Sequence, residues 1–192
     1  MRRLAYLIAA AAILVAAPVK MEILEGNPAS PVRVLVFEDL QCSDCANLRK
    51  MLDEKVLPRY GGKVAFVHRD FPLSKHSWAR PAAIAGRWVY EQNHEAGILF
   101  RQQILAEQAN ISDLAELKKW LLEFASRNKL NERGILDSLK DARLAGVVEQ
   151  DFQAGVARGI SKTPTVMVNG ISIVELVIFD DLSRAIDSAL AR

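Results

Sequence analysis

The 192-residue sequence is poor in cysteine: it has two, Cys42 and Cys45. Two cannot build a disulfide scaffold, and two alone do not complete a zinc site, so no metal is expected. No long run of one charge sign occurs. The 25 Lys and Arg stand against 23 Asp and Glu, a net charge of +2, which gives no electrostatic ground for binding nucleic acid. Low-complexity tracts and internal repeats are lacking, which argues against a disordered chain or a solenoid. The longest apolar run, Leu4 to Ala17, has 14 residues, short of the roughly 20 that a membrane-crossing helix needs. What is present, 51% hydrophobic and 25% charged residues, is the composition of an ordinary domain with a proper core.

Arg2 and Arg3 stand before that apolar run, the pattern of a secretory signal. Val15-Ala16-Ala17 has the small residues of a cleavage site, yet Pro18 just after it hinders cleavage. Residues 1–20 therefore read as a signal peptide or an N-terminal membrane anchor through residues 4–19, and 21–192 as the folded domain. Either reading places the domain outside the cytoplasm, in a periplasmic or other extracytoplasmic space where disulfides persist.

Residues 21–30 read as a connection with a turn at Gly26-Asn27-Pro28. Val32–Phe37 is the best strand candidate, and a helix is expected from about Ser43 to Leu57, ended by Pro58 and Gly61-Gly62. Lys63–Arg69 reads as a second strand, completing a right-handed βαβ unit. From about 74 to 158 the sequence is helical. Helices are expected over Ser77–Asn93 and Glu95–Ala109, then one capped by Ser112, one capped by Asn131, and one from about Ala145 to Arg158 closed by Gly159. Thr165–Val168 and Ile171–Val174 flank Asn169-Gly170, a strong hairpin signal, and Asp181–Ala191 reads as a closing helix. The helical block interrupts an α/β sheet, so it is an insertion. Trp78, Trp88, Trp120 and Phe124 read as core residues of that block, and the scattered Arg and Lys as solvated faces.

Cys42-Ser43-Asp44-Cys45 follows the first strand and opens the helix. Two intervening residues let both sulfurs meet in one turn. Cys42 falls at the helix N-terminus, where free N–H groups favour a thiolate, and the thiolate is the nucleophile of disulfide exchange. Cys45, one turn deeper, is placed to resolve a mixed disulfide. A half zinc site and an inert structural disulfide are the competing readings of the pair. Thr163-Pro164 precedes a strand. A cis bond there would turn the Thr163 backbone toward the thiols, where it could pair with an extended substrate segment.

Three stretches carry a resemblance: Gly26 to Val32 leading through Phe37 to Cys45, Arg69-Asp70-Phe71-Pro72-Leu73, and Gly159 to Thr165 followed by Val168-Asn169-Gly170. Together they resemble the DsbA-like disulfide oxidoreductases of the thioredoxin superfamily. The resemblance implies a thioredoxin fold, a central mixed sheet flanked by helices, with an inserted helical subdomain. It implies Cys42 as nucleophile, Cys45 as resolving cysteine and Thr163-Pro164 as a cis-proline pair facing them. No cofactor is implied beyond the redox-active Cys42–Cys45 disulfide. The implied partners are cysteine-containing exported proteins and a membrane redox partner, either a quinone-linked oxidase or a thiol donor.

The sequence departs from the family pattern at three places. Ser43 stands where proline is usual, and Val36 where many members bury an acidic residue, which leaves Glu38 as a candidate proton acceptor for Cys45. Asp44 stands where strong oxidants have histidine. Its carboxylate is expected to offset the helix terminus, so that the pKa of Cys42 falls only modestly. The reading is thus a mild oxidant, with a reductase fed by a membrane thiol donor, or a weakly active thioredoxin-fold binding or chaperone module, as alternatives.

Overall fold

In the computed structural model, which describes residues 22–192, the chain opens with a short strand, β1 (Ile23–Gly26). The signal or anchor expected within residues 1–20 lies outside the described residues. β1 corrects the reading of 21–30 as a plain connection. It is a four-residue edge strand held by antiparallel pairing, Ile23 opposite His68 through Gly26 opposite Ala65, so no alternation of its own announces it.

The strand β2 (Arg33–Glu38) pairs in parallel with β3 (Ala65–Asp70). Between them run α1 (Ser43–Met51), a π-helical turn Leu52–Val56, and α2 (Leu57–Tyr60). Pro58 therefore does not end the helix. In the wider π turn the Leu57 N–H reaches back to the Leu52 carbonyl, and Pro58 falls in the first turn of α2, where its missing donor costs little. The chain then breaks at Gly61-Gly62.

Between β3 and the returning strands lie α3 (Ala79–Gln92), α4 (His94–Glu107), α5 (Leu114–Arg127), α6 (Glu132–Ser138) and α7 (Ala142–Val156). Asn131 caps α6 through the Gly134 N–H, as its position suggests. The cap of α5 is Asp113, not Ser112. Its carboxylate accepts from the N–H groups of Ala115 and Glu116, and as an anion it suits the helix terminus better than a hydroxyl. β4 (Thr165–Val168) and β5 (Ile171–Val174) form the hairpin, with Asn169 and Gly170 both at positive φ, and α8 (Phe179–Leu190) closes the domain. The sheet order is β1-β3-β2-β4-β5, with β4 antiparallel to β2.

Two large cores and a small cluster of Phe37, Phe71 and Ile160 hold this together. Val34 and Val36 of β2 and Val166 and Val168 of β4 pack against Leu48, Leu52, Leu182 and Ile186 from the helices on one face. The helical block has its own core, in which Trp78, Phe100, Trp120 and Phe124 are buried, and both cysteines join it. Trp88 packs at its margin. The reading of the basic residues as solvated fails for Arg49, Arg87 and Arg101, which are 3%, 0% and 1% exposed. Arg87 and Arg101 pair with carboxylates distant in sequence, which no local pattern reveals, and Arg49 pairs with distant Glu25 as well as with Asp53 one turn on.

Candidate active site

β2 ends at Glu38, and the loop 39–42 delivers Cys42 to the N-cap of α1, with extended backbone (φ −85°, ψ 123°). The Cys42 carbonyl accepts from the N–H groups of Cys45 (3.1 Å) and Ala46 (3.2 Å), and from the Gln108 side chain at 3.2 Å, which ties the helical block to the active turn. Neither cysteine is bridged. Cys42 keeps 8% exposure, whereas Cys45 is fully buried and its sulfur accepts from the Asp39 N–H at 3.4 Å. The thiol of Cys42 donates to the carbonyl oxygen of Thr163 at 3.4 Å, and the Thr163–Pro164 peptide is cis. Cys42, Ser43, Asp44 and Thr163 line one cavity of about 480 Å³.

A sequence profile of the family described as thioredoxin matches residues 19–188. The chain belongs to the thioredoxin family. Among solved structures, this thioredoxin-family chain superposes on oxidised BdbD from Bacillus subtilis with a TM-score of 0.80 at 21% identity, covering 89% of this chain and 94% of that one. It superposes on DsbA from Chlamydia trachomatis with a TM-score of 0.75 at 21% identity, covering 94% and 96%. These likenesses show the fold, a thioredoxin fold with a helical insertion. A curated relative, Na(+)/H(+) antiporter NhaA 3 of Salinispora tropica, is 31% identical over 169 residues, which are 88% of this chain and 24% of that protein. The chain thus spans about a quarter of the length of the curated relatives that it matches.

The two thiols of this thioredoxin-family site are driven apart electrostatically. The Cys42 thiol falls to about 6. The largest cause is the Cys45 thiol, which donates to the Cys42 sulfur; burial opposes, and Thr163 and the N–H groups of Cys45 and Asp44 add to the fall. The Thr163 hydroxyl is buried and has no hydrogen-bond partner among the described residues, so it is free to donate once Cys42 is a thiolate. Cys45 is pushed well above the usual thiol range by burial, by its hydrogen bond to Cys42, and by the negative charges of Cys42 and Glu38. The expectation of an only modest fall for Cys42 is therefore corrected. Asp44 is exposed, and its N–H stabilises the thiolate while its carboxylate does not figure among the main influences.

Glu38 sits beneath Cys45 in a buried chain of charges. Its Oε1 accepts from His68 Nδ1 at 2.8 Å and from Arg101 Nε at 2.9 Å, while Oε2 has no hydrogen-bond partner. Burial works to raise the pKa of Glu38, but Arg101 and His68 prevail and hold it well below the usual carboxylate range. His68 Nε2 reaches Glu25 at 3.1 Å, so both ring nitrogens face carboxylates and both carry protons. Arg101 continues the chain to Asp70 at 2.9 Å, and Arg87 binds Asp70 and Asp151. Sequence reasoning found Glu38 but missed Arg101, His68 and Glu25. Only His68 has a local signal, the polar His68-Arg69-Asp70 at the end of an apolar strand. Among the described residues, no group of three or more His, Cys, Asp or Glu could hold a metal ion.

Proposed function

We propose that this chain is an exported thiol–disulfide oxidoreductase that acts on cysteine-containing proteins through Cys42 and Cys45, as a mild oxidant. The observation that carries the reading is the split between the thiols: Cys42 lowered to about 6 at the helix N-terminus, Cys45 buried and raised. At neutral pH the reduced pair then holds one thiolate and one thiol, the state that attack followed by resolution requires. In oxidation, a substrate thiolate attacks Cys42 and Cys45 leaves. A second substrate thiolate then displaces Cys42, and the substrate disulfide forms. The Thr163 backbone beside Cys42 is placed to pair with an extended substrate segment. The redox centre is the cysteine pair itself. Glu38, the candidate proton acceptor for Cys45, is held ionised by Arg101 and His68 and so is a weak base; it acts on Cys45 through its negative charge.

Export rests on the basic and apolar pattern of residues 1–20, with a membrane redox partner, a quinone-linked oxidase or a thiol donor, returning the pair to its working state. No helix among the described residues is long and apolar enough to cross a membrane. The test mixes oxidised protein with a reduced peptide carrying two cysteines. The expected result is one peptide disulfide per protein, none with Cys42→Ala, and a trapped mixed disulfide when the reduced Cys45→Ala variant meets an oxidised peptide. Failure of the unsubstituted protein to oxidise the peptide, with reduction of an oxidised peptide by its reduced form, would leave the reductase as the reading; failure of both would leave a binding module.

A further inference from the structure

The loop after β3 places a second titratable group at the cavity that holds Cys42. His76 and Cys42 both line it, and the His76 side chain keeps 17% exposure. His76 Nδ1 lies 2.8 Å from Oδ2 of Asp39, whose side chain is fully buried. A carboxylate only accepts, so Nδ1 carries the proton of that bond and Nε2 is left for chemistry. Asp39 is itself fixed. It accepts from the N–H of Gln41 at 2.7 Å and of Leu73 at 2.7 Å, and its own N–H donates to the Cys45 sulfur. One buried carboxylate thus braces both the active turn and an imidazole that lines the same cavity. Nε2 has no hydrogen-bond partner among the described residues.

We propose that His76 is the general acid–base of thiol–disulfide exchange at this site, oriented by Asp39. The inference rests on the oxidoreductase reading of Cys42 and Cys45. When the Cys42 thiolate attacks a substrate disulfide, an S–S bond forms to one substrate sulfur and the substrate S–S bond breaks. The electron pair leaves with the second sulfur, which takes the Nε2 proton of the His76 imidazolium. In the reverse step, the second thiol of the substrate gives its proton to neutral His76 and attacks its own mixed disulfide, and Cys42 leaves as the thiolate it is built to hold. The cavity's other charged groups suit this role less. Asp44 and Glu175 are carboxylates, which accept hydrogen bonds only, and Lys75 and Lys162 are ammonium groups, of which Lys162 is bound to Glu175 at 2.8 Å. Imidazole exchanges a proton near neutral pH. The Cys-Ser-Asp-Cys turn lacks a cationic donor of its own, and His76 supplies one from the lining of the same cavity.

The test compares two disulfides attacked by the reduced protein and by His76→Gln. Glutathione disulfide releases an alkyl thiolate that gains from protonation; 5,5′-dithiobis(2-nitrobenzoate) releases an aromatic thiolate stable without it. The expected result is a loss of about tenfold or more with glutathione disulfide and no change with the aromatic disulfide, which also reports an intact fold and Cys42. Equal losses with both, or no loss with either, would overturn the proposal. The unsubstituted protein supplies a second measurement. Its rates across disulfides of rising leaving-thiol pKa should fall less steeply than those of a free small-molecule thiolate, and equal steepness would also overturn it. Unsubstituted protein that reacts with neither disulfide would instead contradict the oxidoreductase reading.

Discussion

The Cys42 sulfur stands 3.4 Å from the carbonyl oxygen of Thr163, a residue 121 positions later in the chain. The contact joins the N-cap of α1 to the loop before β4. The pairing of β2 with β4, Phe37 opposite Thr165, sets this closeness, since each cysteine-bearing or threonine-bearing loop leaves one of those strands. As a thiol, Cys42 donates to that carbonyl. As a thiolate it must seek donors instead, and the Cys45 thiol, the N–H groups at the start of α1 and the Thr163 hydroxyl are the ones within reach.

Alkylation of the reduced protein should report this directly. Only the thiolate reacts, so the iodoacetamide rate at Cys42 should be half-maximal near pH 6 and fall as pH drops below it. Cys45 should stay unmodified in the folded protein because it is buried and raised. A midpoint near that of free cysteine, about 8.5, would contradict the account.

Asp44 should matter little to that midpoint. Its carboxylate faces solvent, where screening acts over about 8 Å at physiological salt. Asp44→Asn is expected to move the alkylation midpoint by less than about half a unit. A fall of a full unit would show that the carboxylate opposes the thiolate after all.

Arg101 bridges Glu38 and Asp70 with its side chain 1% exposed. Arg101→Met fits the space but leaves two buried carboxylates without that cation. Urea unfolding should show a loss of about 3–5 kcal/mol at pH 7. A loss below about 1 kcal/mol would mean that the buried charge chain is no constraint on the fold.

Much of this architecture was legible from local pattern. A β-branched run, a C-x-x-C at a helix start and Asn169-Gly170 between two apolar stretches each signal their structure within a few residues. What stayed hidden depends on partners far along the chain. β1 is a strand only because β3 lies beside it. Asp39 reads as a loop residue until His76, 37 positions on, reaches it. Arg101 reads as a surface cation until Glu38 and Asp70 close around it. The Asp44 expectation erred for a different reason: spacing gives a distance to Cys42 but not the solvent between them.

The most direct test is the reduction potential of the Cys42–Cys45 pair, equilibrated in glutathione buffers and read by thiol trapping and mass. Stabilising the thiolate stabilises the reduced form and raises the potential. Cys42 at about 6 lies between the thiols of thioredoxin, about 7, and DsbA, about 3.5. Interpolating between their potentials of about −270 and −120 mV places this pair near about −230 mV. A value near that figure is the predicted result. One close to about −120 mV, or below about −270 mV, would contradict the account of a mild oxidant.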